Sequence, residues 1–435
     1  MNLSRLTLEA DPAEVAARAR ALAPPSEEVA ASVSETLEAV RSGGDAALGE
    51  LGERFDGVRP VKLRLERAEL ESAATSIDPA LSEALTLAAE NIRTVAKAQL
   101  REDAAPIQFA QGHAVTVRSV PIESVGIYVP GGTASYPSSV LMGCIPARVA
   151  GVARVAVATP PSEDGGADPT VLAACAMAEV DEVYLAGGAQ AIGALAFGTE
   201  TVDAVDLIAG PGSAWVQEAK LQVSRQVGID SYAGPSELMV VLDESAPIDW
   251  LALDLCAQAE HGGAGLLAAA AADPALLDQL ATAVALIVAK RPGIADAQLA
   301  LIEVRDTESA VELANAIAPE HLQLACSGAA ELAETVRTAG CVLVGASSAT
   351  AFSDYAAGSN HILPTGGAGR FAGPLGPNTF RRAMSIVEIP APAAAELAEL
   401  VQRLAEAEGF PVHGESVSVR VAGRPTGAVG KMGET

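Results

Sequence analysis

Short runs of β-branched and aliphatic residues alternate with helical stretches along most of the chain, and this alternation is the strongest constraint on its fold. Between residues 124 and 243 the runs are VGIYV, VARVAVAT, EVYLAGG, VDLIAG and ELMVVLD. A second series follows, with GLLAAAAAD, LALIEVRD, LQLACS and CVLVGA. Strands that are separated by helices of this length pair in parallel, so the pattern predicts an α/β fold with parallel, helix-covered sheets.

Both ends of the chain are predicted to be mainly helical. Residues 10–55 and 78–100 have helical periodicity, and the second stretch opens with an Asp-Pro pair that typically starts a helix. Two strands, HAVTVRSV and SVGIYV, then lead into a glycine-rich turn at residues 130–133. Helical periodicity returns after residue 380 and is followed by a polar, glycine-rich tail.

The usual glycine-rich nucleotide motifs are absent from the sequence. Two near matches to G-x-G-x-x-G fail on context, because one follows a helix and the other precedes helix-breaking prolines. These matches are Gly263, Gly265 and Ala268, and Gly367, Gly369 and Ala372. No G-x-x-x-x-G-K-[ST] sequence occurs, which argues against a P-loop nucleotidase. A nucleotide bound by this fold would therefore be held without the usual signature.

The charge balance argues against several classes of partner. Lys and Arg number 28 against 55 Asp and Glu, which gives a formal net charge of -27. Such a chain repels phosphate backbones and anionic lipid headgroups, so we expect no nucleic acid and no membrane partner. The longest apolar tract, residues 266–290, is interrupted by Asp273, Pro274 and Asp278 and predicts a strand and a core helix instead of a membrane span.

The first residues and the cysteines both favour a cytoplasmic protein. Residues 1–14 alternate polar and apolar side chains, with Glu9 and Asp11 where the apolar core of a signal peptide would lie. The five cysteines are scattered and form no C-x-x-C pair, which is typical of reduced, buried thiols. We therefore expect no disulfide and no cysteine nucleophile.

Four of the five histidines stand beside carboxylates or amides in glycine- or proline-rich junctions. Gln258 and His261 are three residues apart, so on a helix both side chains could reach one metal ion. Asp354 and His361 flank a polar loop that could supply further ligands. Taken alone, each pair is better explained by an ordinary role, helix capping in the first case and a surface loop in the second.

Glu320 and His321 are adjacent at the start of a predicted strand. A carboxylate beside an imidazole suits general-base chemistry near neutral pH, whereas a surface dipeptide at a helix end is the ordinary alternative. Glu408 and His413 follow a Glu-rich helix, where a solvated acidic face is the default explanation. All four groups occur after residue 257, and their combination favours one functional site over four unrelated surface features.

These groups occur in a fixed order together with several long, unusual words: GIYVPGGTA, GGAQAI, GPGSAW, AGPSE, QAEHG, APEHLQL, DYAAGSNHILPTGGAGRF and EGFPVHGESV. With these words the chain resembles the histidinol dehydrogenase family, from the N-terminal helices to beyond residue 415. The resemblance implies a four-electron oxidation of L-histidinol to L-histidine through L-histidinal, the last steps of histidine biosynthesis. It also implies NAD, one zinc ion per subunit, and a homodimer with shared active sites.

Matched position by position, the resemblance gives roles to individual residues. The implied zinc ligands are Gln258, His261, Asp354 and, from the partner subunit, His413. The implied catalytic pair is Glu320 and His321, and the other implied substrate contacts, besides that pair and the zinc ligands, are Ser236, His361 and Glu408. The implied NAD contacts are Tyr128, Gln190 and Ser213. Ser213 stands where the family usually has Asn. Because the serine side chain is shorter, a hydrogen bond from this position to the cofactor would reach less far or be lost.

The resemblance also implies a domain plan of two incomplete Rossmann-like lobes. Residues 1–24 would form an N-terminal helical segment. A larger lobe, carrying most of the zinc and catalytic residues, would comprise 25–129 and 238–380. A smaller lobe at 130–237 would be inserted in it. Residues 381–435 would form a dimerisation segment that donates residues to the partner's site.

Two alternative activities remain compatible with the sequence. A zinc hydrolase could use the same ligands, with Glu320 activating water, and a related dehydrogenase could act on another small alcohol. His361 and Glu408 suit an imidazole and ammonium substrate, which favours histidinol over other alcohols. A binding module that has lost catalysis is less consistent, because every matched ligand and base position is filled.

Overall fold

The computed structural model describes residues 1–9, 11–23, 29–131, 134–262, 264–294 and 296–422. The predicted turn residues Gly132 and Thr133, the near-motif residue Gly263 and the glycine-rich tail after 422 lie outside these ranges. The chain divides into two compact units. The first comprises residues 1–100 and 121–380, and the second comprises residues 101–120 together with the chain from Arg381 onward.

The strands are numbered in chain order. They are β1 (Asn2–Thr7), β2 (Arg64–Leu65), β3 (Ile107–Gln108), β4 (Ala114–Pro121), β5 (Ser124–Tyr128), β6 (Arg154–Thr159), β7 (Glu182–Leu185), β8 (Leu207–Ala209), β9 (Gly228–Ile229), β10 (Leu238–Leu242), β11 (Leu267–Ala271), β12 (Gln298–Glu303), β13 (His321–Ala325), β14 (Cys341–Val344) and β15 (Arg381–Glu388).

The helices are numbered in the same way. They are α1 (Pro12–Arg20), α2 (Ala30–Phe55), α3 (Arg67–Ser76), α4 (Pro79–Gln99), α5 (Pro137–Ala150), α6 (Pro169–Met177), α7 (Gly188–Phe197), α8 (Ala214–Val223), α9 (Ile248–Ala259), α10 (Pro274–Val288), α11 (Thr307–Ile317), α12 (Ala329–Ala333), α13 (Thr350–Tyr355), α14 (Ala391–Ala407) and α15 (Pro411–Val421). Short 3₁₀ turns occur at Pro292–Ile294, Ala368–Arg370 and Pro377–Phe380.

Four helices begin with an Asp-Pro pair, and the reason is local. At α1, α4, α6 and α10 the aspartate carboxylate accepts a hydrogen bond from a backbone N–H of the first turn. The proline that follows has no N–H to leave unpaired, and its fixed φ suits the first helical position. These starts could be predicted from the sequence because cap and helix are neighbours in the chain.

The first sheet has the strand order β1-β12-β11-β10-β13-β14, and all neighbouring pairs are parallel. Met239 and Val241 of β10 face a layer that includes α1 and α11, whereas Leu238 and Val240 face α9 and α10. Every residue of β10, β11 and β13 is buried, as expected for a parallel sheet that is covered on both faces.

The second sheet has the order β2-β7-β6-β5-β8-β9. Its strands are parallel except β2, which runs antiparallel to β7. Val125 and Ile127 face a core shared with α3, α4, α5 and α6, and Tyr128 and Ile208 face a core shared with α2, α7 and α8. The predicted α/β class with parallel, helix-covered sheets is therefore confirmed.

Parts of the predicted domain plan are wrong in detail. The segment 1–24 was expected to be helical, but its first part is β1, an edge strand whose backbone pairs with β12. The range 25–129 was expected in the larger lobe, but β2 and β5 belong to the second sheet, and α2, α3 and α4 pack on it. The glycine-rich turn after β5 is a local signal for a domain boundary, whereas membership of a sheet depends on pairing with strands that are distant in the sequence.

The second unit contains the small sheet β15-β4-β3 and the helices α14 and α15. The strand β15 was not predicted, because this region was expected to be helical from its start. The two helices pack against each other at Gly414, where a Cβ would lie 3.7 Å from that of Ala405. None of the described helices is long and apolar enough to cross a membrane.

Candidate active site

One cavity of about 750 Å³ collects most of the predicted site residues of the first unit. The amino ends of β10, β11 and β13 line it from the first sheet, and the segments that follow β5 and β8 line it from the second sheet. The two sheets therefore offer opposite strand ends to the same space. Predicted residues in the lining are Ser213, Ser236, Gln258, His261, Glu320, His321, Asp354 and His361.

Gln258 and His261 reach the cavity from the end of α9. The helix ends at Ala259, but the backbone N–H of His261 still donates to the carbonyl of Gln258 over 3.3 Å, so the turn continues. Gln258 is 4% exposed, whereas His261 is an exposed residue at the rim. Asp354 enters from the short helix α13. The three predicted ligands of this chain are thus brought to one space by two helices.

His321 is the first residue of β13 and lies among three oxygen atoms. Its Nδ1 is 3.5 Å from Oε2 of Glu320 and 3.3 Å from the carbonyl oxygen of Glu237. Its Nε2 is 3.3 Å from Oδ1 of Asp354. Those last two atoms lie within ion-pair distance but are not aligned for a hydrogen bond, and both are buried without another hydrogen-bond partner.

This arrangement shifts the acidity of each group. Burial raises the pKa of Glu320, and the adjacent imidazole opposes this shift only in part. Burial alone would lower the pKa of His321, but the carboxylates of Glu320 and Asp354 hold it well above its ordinary value. Burial would raise the pKa of Asp354, and His321 and two further histidines bring it below its usual range. A carboxyl group with raised proton affinity beside an imidazole can accept and pass on protons.

His361 is fixed on both sides of its ring. Nδ1 is 2.9 Å from the carbonyl oxygen of Asp354, and Nε2 is 3.0 Å from Oγ of Ser139 at the start of α5. Burial lowers the pKa of His361, which favours the neutral imidazole. The ring therefore links α13 to α5 at the wall of the cavity, and Ser139 was not singled out from the sequence.

The predicted NAD contacts are divided between two places. Ser213 lines the cavity as the N-cap of α8, and its side chain makes no capping hydrogen bond. Tyr128 and Gln190 contribute nothing to the lining within the described residues. The Tyr128 hydroxyl accepts from the backbone N–H of Gly188 over 3.1 Å, and Gln190 donates to Asp56 over 3.2 Å. Burial raises the pKa of Tyr128 to about 12.

Glu408 and His413 belong to the second unit. Glu408 caps the end of α14, and His413 lies in the first turn of α15, with its ring centroid 5.4 Å from that of Phe410. Both side chains are exposed. Both side chains are therefore accessible to a further molecule.

The donors in the cavity fit a zinc ion that needs a further ligand. Within the described residues, no three His, Cys, Asp or Glu side chains are grouped to hold a metal. The implied ligands in the lining are one imidazole, one carboxylate and one amide, from His261, Asp354 and Gln258. Oδ1 of Asp354 is buried without a hydrogen-bond partner, as expected of an atom kept for a ligand. Nitrogen and oxygen donors of this kind are ones that zinc accepts.

Two residues that the sequence did not single out complete the surroundings of the predicted catalytic pair, Glu320 and His321. Glu237 is a second buried carboxylate beside Glu320, and Arg20 at the end of α1 binds it. Glu237 stands in the word AGPSE, but nothing in its spacing marks it as more than a neighbour of Ser236. Arg20 lies 217 residues away in the chain, so only the fold brings the two together.

Two sheets of mainly parallel strands, a cavity that both line, and a carboxylate–imidazole pair within it define an α/β protein with the site of an enzyme. The chain belongs to the histidinol dehydrogenase family, because the model of that family, "Histidinol dehydrogenase", matches residues 21–421. It is thus a member of an oxidoreductase family, and the resemblance of the sequence to this family is confirmed.

Relatives at high coverage support this assignment. The histidinol dehydrogenase of Pseudomonas putida is 42% identical over 89% of this chain and 90% of its own length. That of Thermobifida fusca is 41% identical over 96% of this chain and 98% of its own length. The crystal structure of histidinol dehydrogenase from Elizabethkingia anophelis has a TM-score of 0.88 at 30% identity, over 97% of this chain and 98% of that chain.

Proposed function

We propose that this chain oxidises L-histidinol to L-histidine through L-histidinal, with NAD and zinc, in the last steps of histidine biosynthesis. The observation that carries the proposal is the contact of His321 with Glu320 and Asp354, in a cavity that Gln258 and His261 also line, in a member of this family. We further propose that the chain acts in the cytoplasm, where free thiols such as those of its five cysteines persist.

The catalytic pair moves the protons of both oxidations. The alcohol loses its hydroxyl proton and a hydride, giving the aldehyde, and the hydrated aldehyde loses the same two species, giving the acid. Bound NAD supplies the hydride acceptor in both steps. The neutral form of His321 takes the alcohol proton. Glu320 takes a proton from the water that adds to the aldehyde, and the carbonyl oxygen receives the proton held by His321. His321 then takes a hydroxyl proton of the hydrate as its hydride leaves. The raised pKa of Glu320 makes it a stronger base than an exposed carboxylate, which suits this role.

The zinc ligands of this chain are Gln258, His261 and Asp354, and His413 of the partner subunit completes the set. A zinc ion bound there supplies an anchoring point for the imidazole nitrogen and the amine of the substrate. The donors supply no thiolate, which suits an expanded site that accepts both substrate groups. Holding the substrate against His321 in this way lowers the entropic cost of the reaction.

The remaining contacts follow from the same proposal. Ser236 and His361 bind the substrate inside the cavity, and Glu408 binds the substrate held by the partner subunit. Ser213, Tyr128 and Gln190 would contact NAD. Of the three, Ser213 has the clearest access to a ligand, because it is exposed and lines the cavity. Residues 381–435 form the dimerisation segment, so the working unit is a homodimer with shared sites.

A spectrophotometric assay tests the function directly. The purified chain, loaded with zinc, is given NAD with histidinol or with other small amino alcohols, and NADH is counted against substrate consumed. We expect two NADH per histidinol and little turnover of the other alcohols. One NADH per molecule, or equal rates with alcohols that lack the imidazole, would favour a dehydrogenase of another small alcohol. Hydrolysis without NADH formation would favour a zinc hydrolase.

A further inference from the structure

Glu237 is a buried carboxylate that the proposed mechanism does not use. The residue is 5% exposed, and each of its carboxylate oxygens accepts two hydrogen bonds. Oε1 accepts from Nη1 of Arg20 over 2.9 Å and from the N–H of Gly366 over 3.0 Å. Oε2 accepts from Nη2 of Arg20 over 3.3 Å and from the N–H of Glu320 over 3.2 Å. A buried carboxylate with four donors is held in one orientation.

Glu237 and Glu320 hold each other by a reciprocal pair of hydrogen bonds. The N–H of Glu320 donates to the carboxylate of Glu237, and the N–H of Glu237 donates to Oε2 of Glu320 over 2.7 Å. The same carboxylate oxygen of Glu320 is the one that lies 3.5 Å from Nδ1 of His321. The backbone of Glu237 therefore fixes the catalytic carboxylate, and the side chain of Glu237 fixes the backbone that carries it.

Arg20 anchors this pair to the rest of the fold. Its guanidinium donates to both oxygens of Glu237 and to the carbonyls of Ile317 and Ala318 at the end of α11. Ala318 has a φ of 52°, in the left-handed region, and the chain then turns into Glu320. Because the guanidinium is engaged on protein acceptors, its role is to hold these segments together, although Arg20 lies at the cavity wall.

We propose that Glu237, held by Arg20, is a positioning residue that orients the carboxylate of Glu320 for proton abstraction from water and sets its proton affinity. This proposal rests on the proposed function, because it assigns Glu237 to the same reaction. Glu237 lies at the cavity wall, but protein donors occupy both of its carboxylate oxygens, so it acts through Glu320.

The charged groups around Glu320 determine the direction in which each neighbour should shift its pKa. His321 faces Glu320 from β13, with Asp354 of α13 behind it, and Glu237 faces it from the amino end of β10, with Arg20 of α1 behind it. A neighbouring negative charge raises a carboxyl pKa, and a neighbouring positive charge lowers it. Glu237 thus favours the protonated form of Glu320, and Arg20 limits this effect.

Glu237→Gln tests the proposal with almost no change in volume. One side-chain oxygen remains, and the new amide NH₂ faces either the Arg20 and Gly366 donors or the Arg20 and Glu320 donors. We expect kcat for histidinal oxidation to fall about 10- to 100-fold, since small misplacements of catalytic groups have effects of that size. KM should change little, and histidinol-to-histidinal oxidation should suffer less.

The pH profile distinguishes this role from a structural one. In histidinal oxidation activity falls at low pH as Glu320, the base for water, becomes protonated, so a lower pKa of Glu320 moves this acid limb of kcat to lower pH. Glu237→Gln removes the negative charge beside Glu320 and should move the acid limb to lower pH. Arg20→Gln removes the positive charge and should move the acid limb to higher pH. Opposite shifts follow from charge, whereas loosened packing would lower the plateau in both variants without opposite shifts.

Glu182→Gln is the matched control. Glu182 is 6% exposed and lies 3.8 Å from guanidinium nitrogens of both Arg64 and Arg154, but it is on β7 and does not line the cavity. The substitution should leave unchanged both the ratio of kcat for histidinal to kcat for histidinol and the acid limb of the pH profile.

If wild type forms no NADH from histidinol, the proposed function fails and this inference with it. If wild type is active but Glu237→Gln behaves like Glu182→Gln, or both test variants shift the limb in one direction, the inference alone is overturned. Each test variant decides by itself when the other does not fold.

Discussion

At the scale of single residues, the site is defined by polar groups that the protein buries without fully satisfying them. His321 and Asp354 approach each other at Nε2 and Oδ1, and neither atom has a well-aligned partner. Leaving such groups unpaired costs folding free energy, which is tolerated where a ligand completes the set. Glu320 is different, because its carboxylate accepts a short backbone hydrogen bond and is already oriented.

The first prediction separates the two half-reactions. Glu320→Gln should slow the oxidation of histidinal more than that of histidinol, because only the hydrate step needs water to be activated. His321→Asn should impair both steps, since it removes the base for the alcohol. Rates measured separately with the two substrates check this. Equal losses in both steps for Glu320→Gln would remove its assigned role.

The second prediction concerns the metal. Chelation should abolish oxidation and added zinc should restore it, and Asp354→Asn should lower the zinc content measured by elemental analysis. The amide keeps the shape of the side chain but loses the charge that binds a cation. Ser353→Ala, a neighbouring change on α13 outside the ligand set, should retain zinc. Full activity in a demonstrably metal-free sample would contradict the prediction.

At the scale of elements, one buried ion pair holds the segments after β8 and β9 against the second sheet. Lys220 of α8 pairs with Asp230, and the exposed fractions of the two side chains are 1% and 3%. Lys220 also donates to the carbonyls of Gly210 and Ser231, each over 3.0 Å. Gly210 has a φ of 129°, and a Cβ there would lie 2.2 Å from the carbonyl oxygen of Tyr128. The segments after β8 and β9, which line the cavity, are thereby fixed.

The third prediction is that Lys220→Met lowers the free energy of unfolding by about 3 to 5 kcal/mol, because it leaves Asp230 buried without its partner. Urea unfolding followed by circular dichroism measures this. Arg5→Met is the contrasting variant, since Arg5 and Asp278 form an exposed pair that should contribute at most about 1 kcal/mol. Similar losses in the two variants would contradict the argument from burial.

The same scale shows how far the sequence could be used. Local signals predicted the alternating strands and the Asp-Pro helix starts, because propensity and capping act between near neighbours. The edge strand β1 was missed, since a strand that depends on pairing with β12, almost 300 residues away, has little local signal. The proposed catalytic pair could be predicted from a sequence motif that resembles the family, whereas the contact between Arg20 and Glu237 exists only in the folded chain.

At the scale of the whole molecule, the proposed zinc site would take one of its ligands from a second copy of the chain. The cavity brings together Gln258, His261 and Asp354, and His413 is exposed on the second unit. Exposed apolar side chains occur along the same unit, among them Phe410 and Val412 on either side of Pro411. An exposed histidine flanked by exposed apolar groups is consistent with a segment that is covered by another copy of the chain.

The last prediction tests that sharing by mixing two inactive variants. His321→Asn removes the base that each chain supplies to its own site. His413→Asn removes the ligand that the partner subunit would contribute to that site. In a mixed two-fold dimer one site inherits both defects and the other inherits neither. Random pairing gives roughly half mixed dimers, each with one good site of two, so activity should recover to about a quarter of wild type. If His413 served its own chain, every site would carry one defect and no activity would return. Mass spectrometry of the reassembled sample shows whether mixed dimers formed, and mixed dimers without recovered activity would assign His413 to its own subunit.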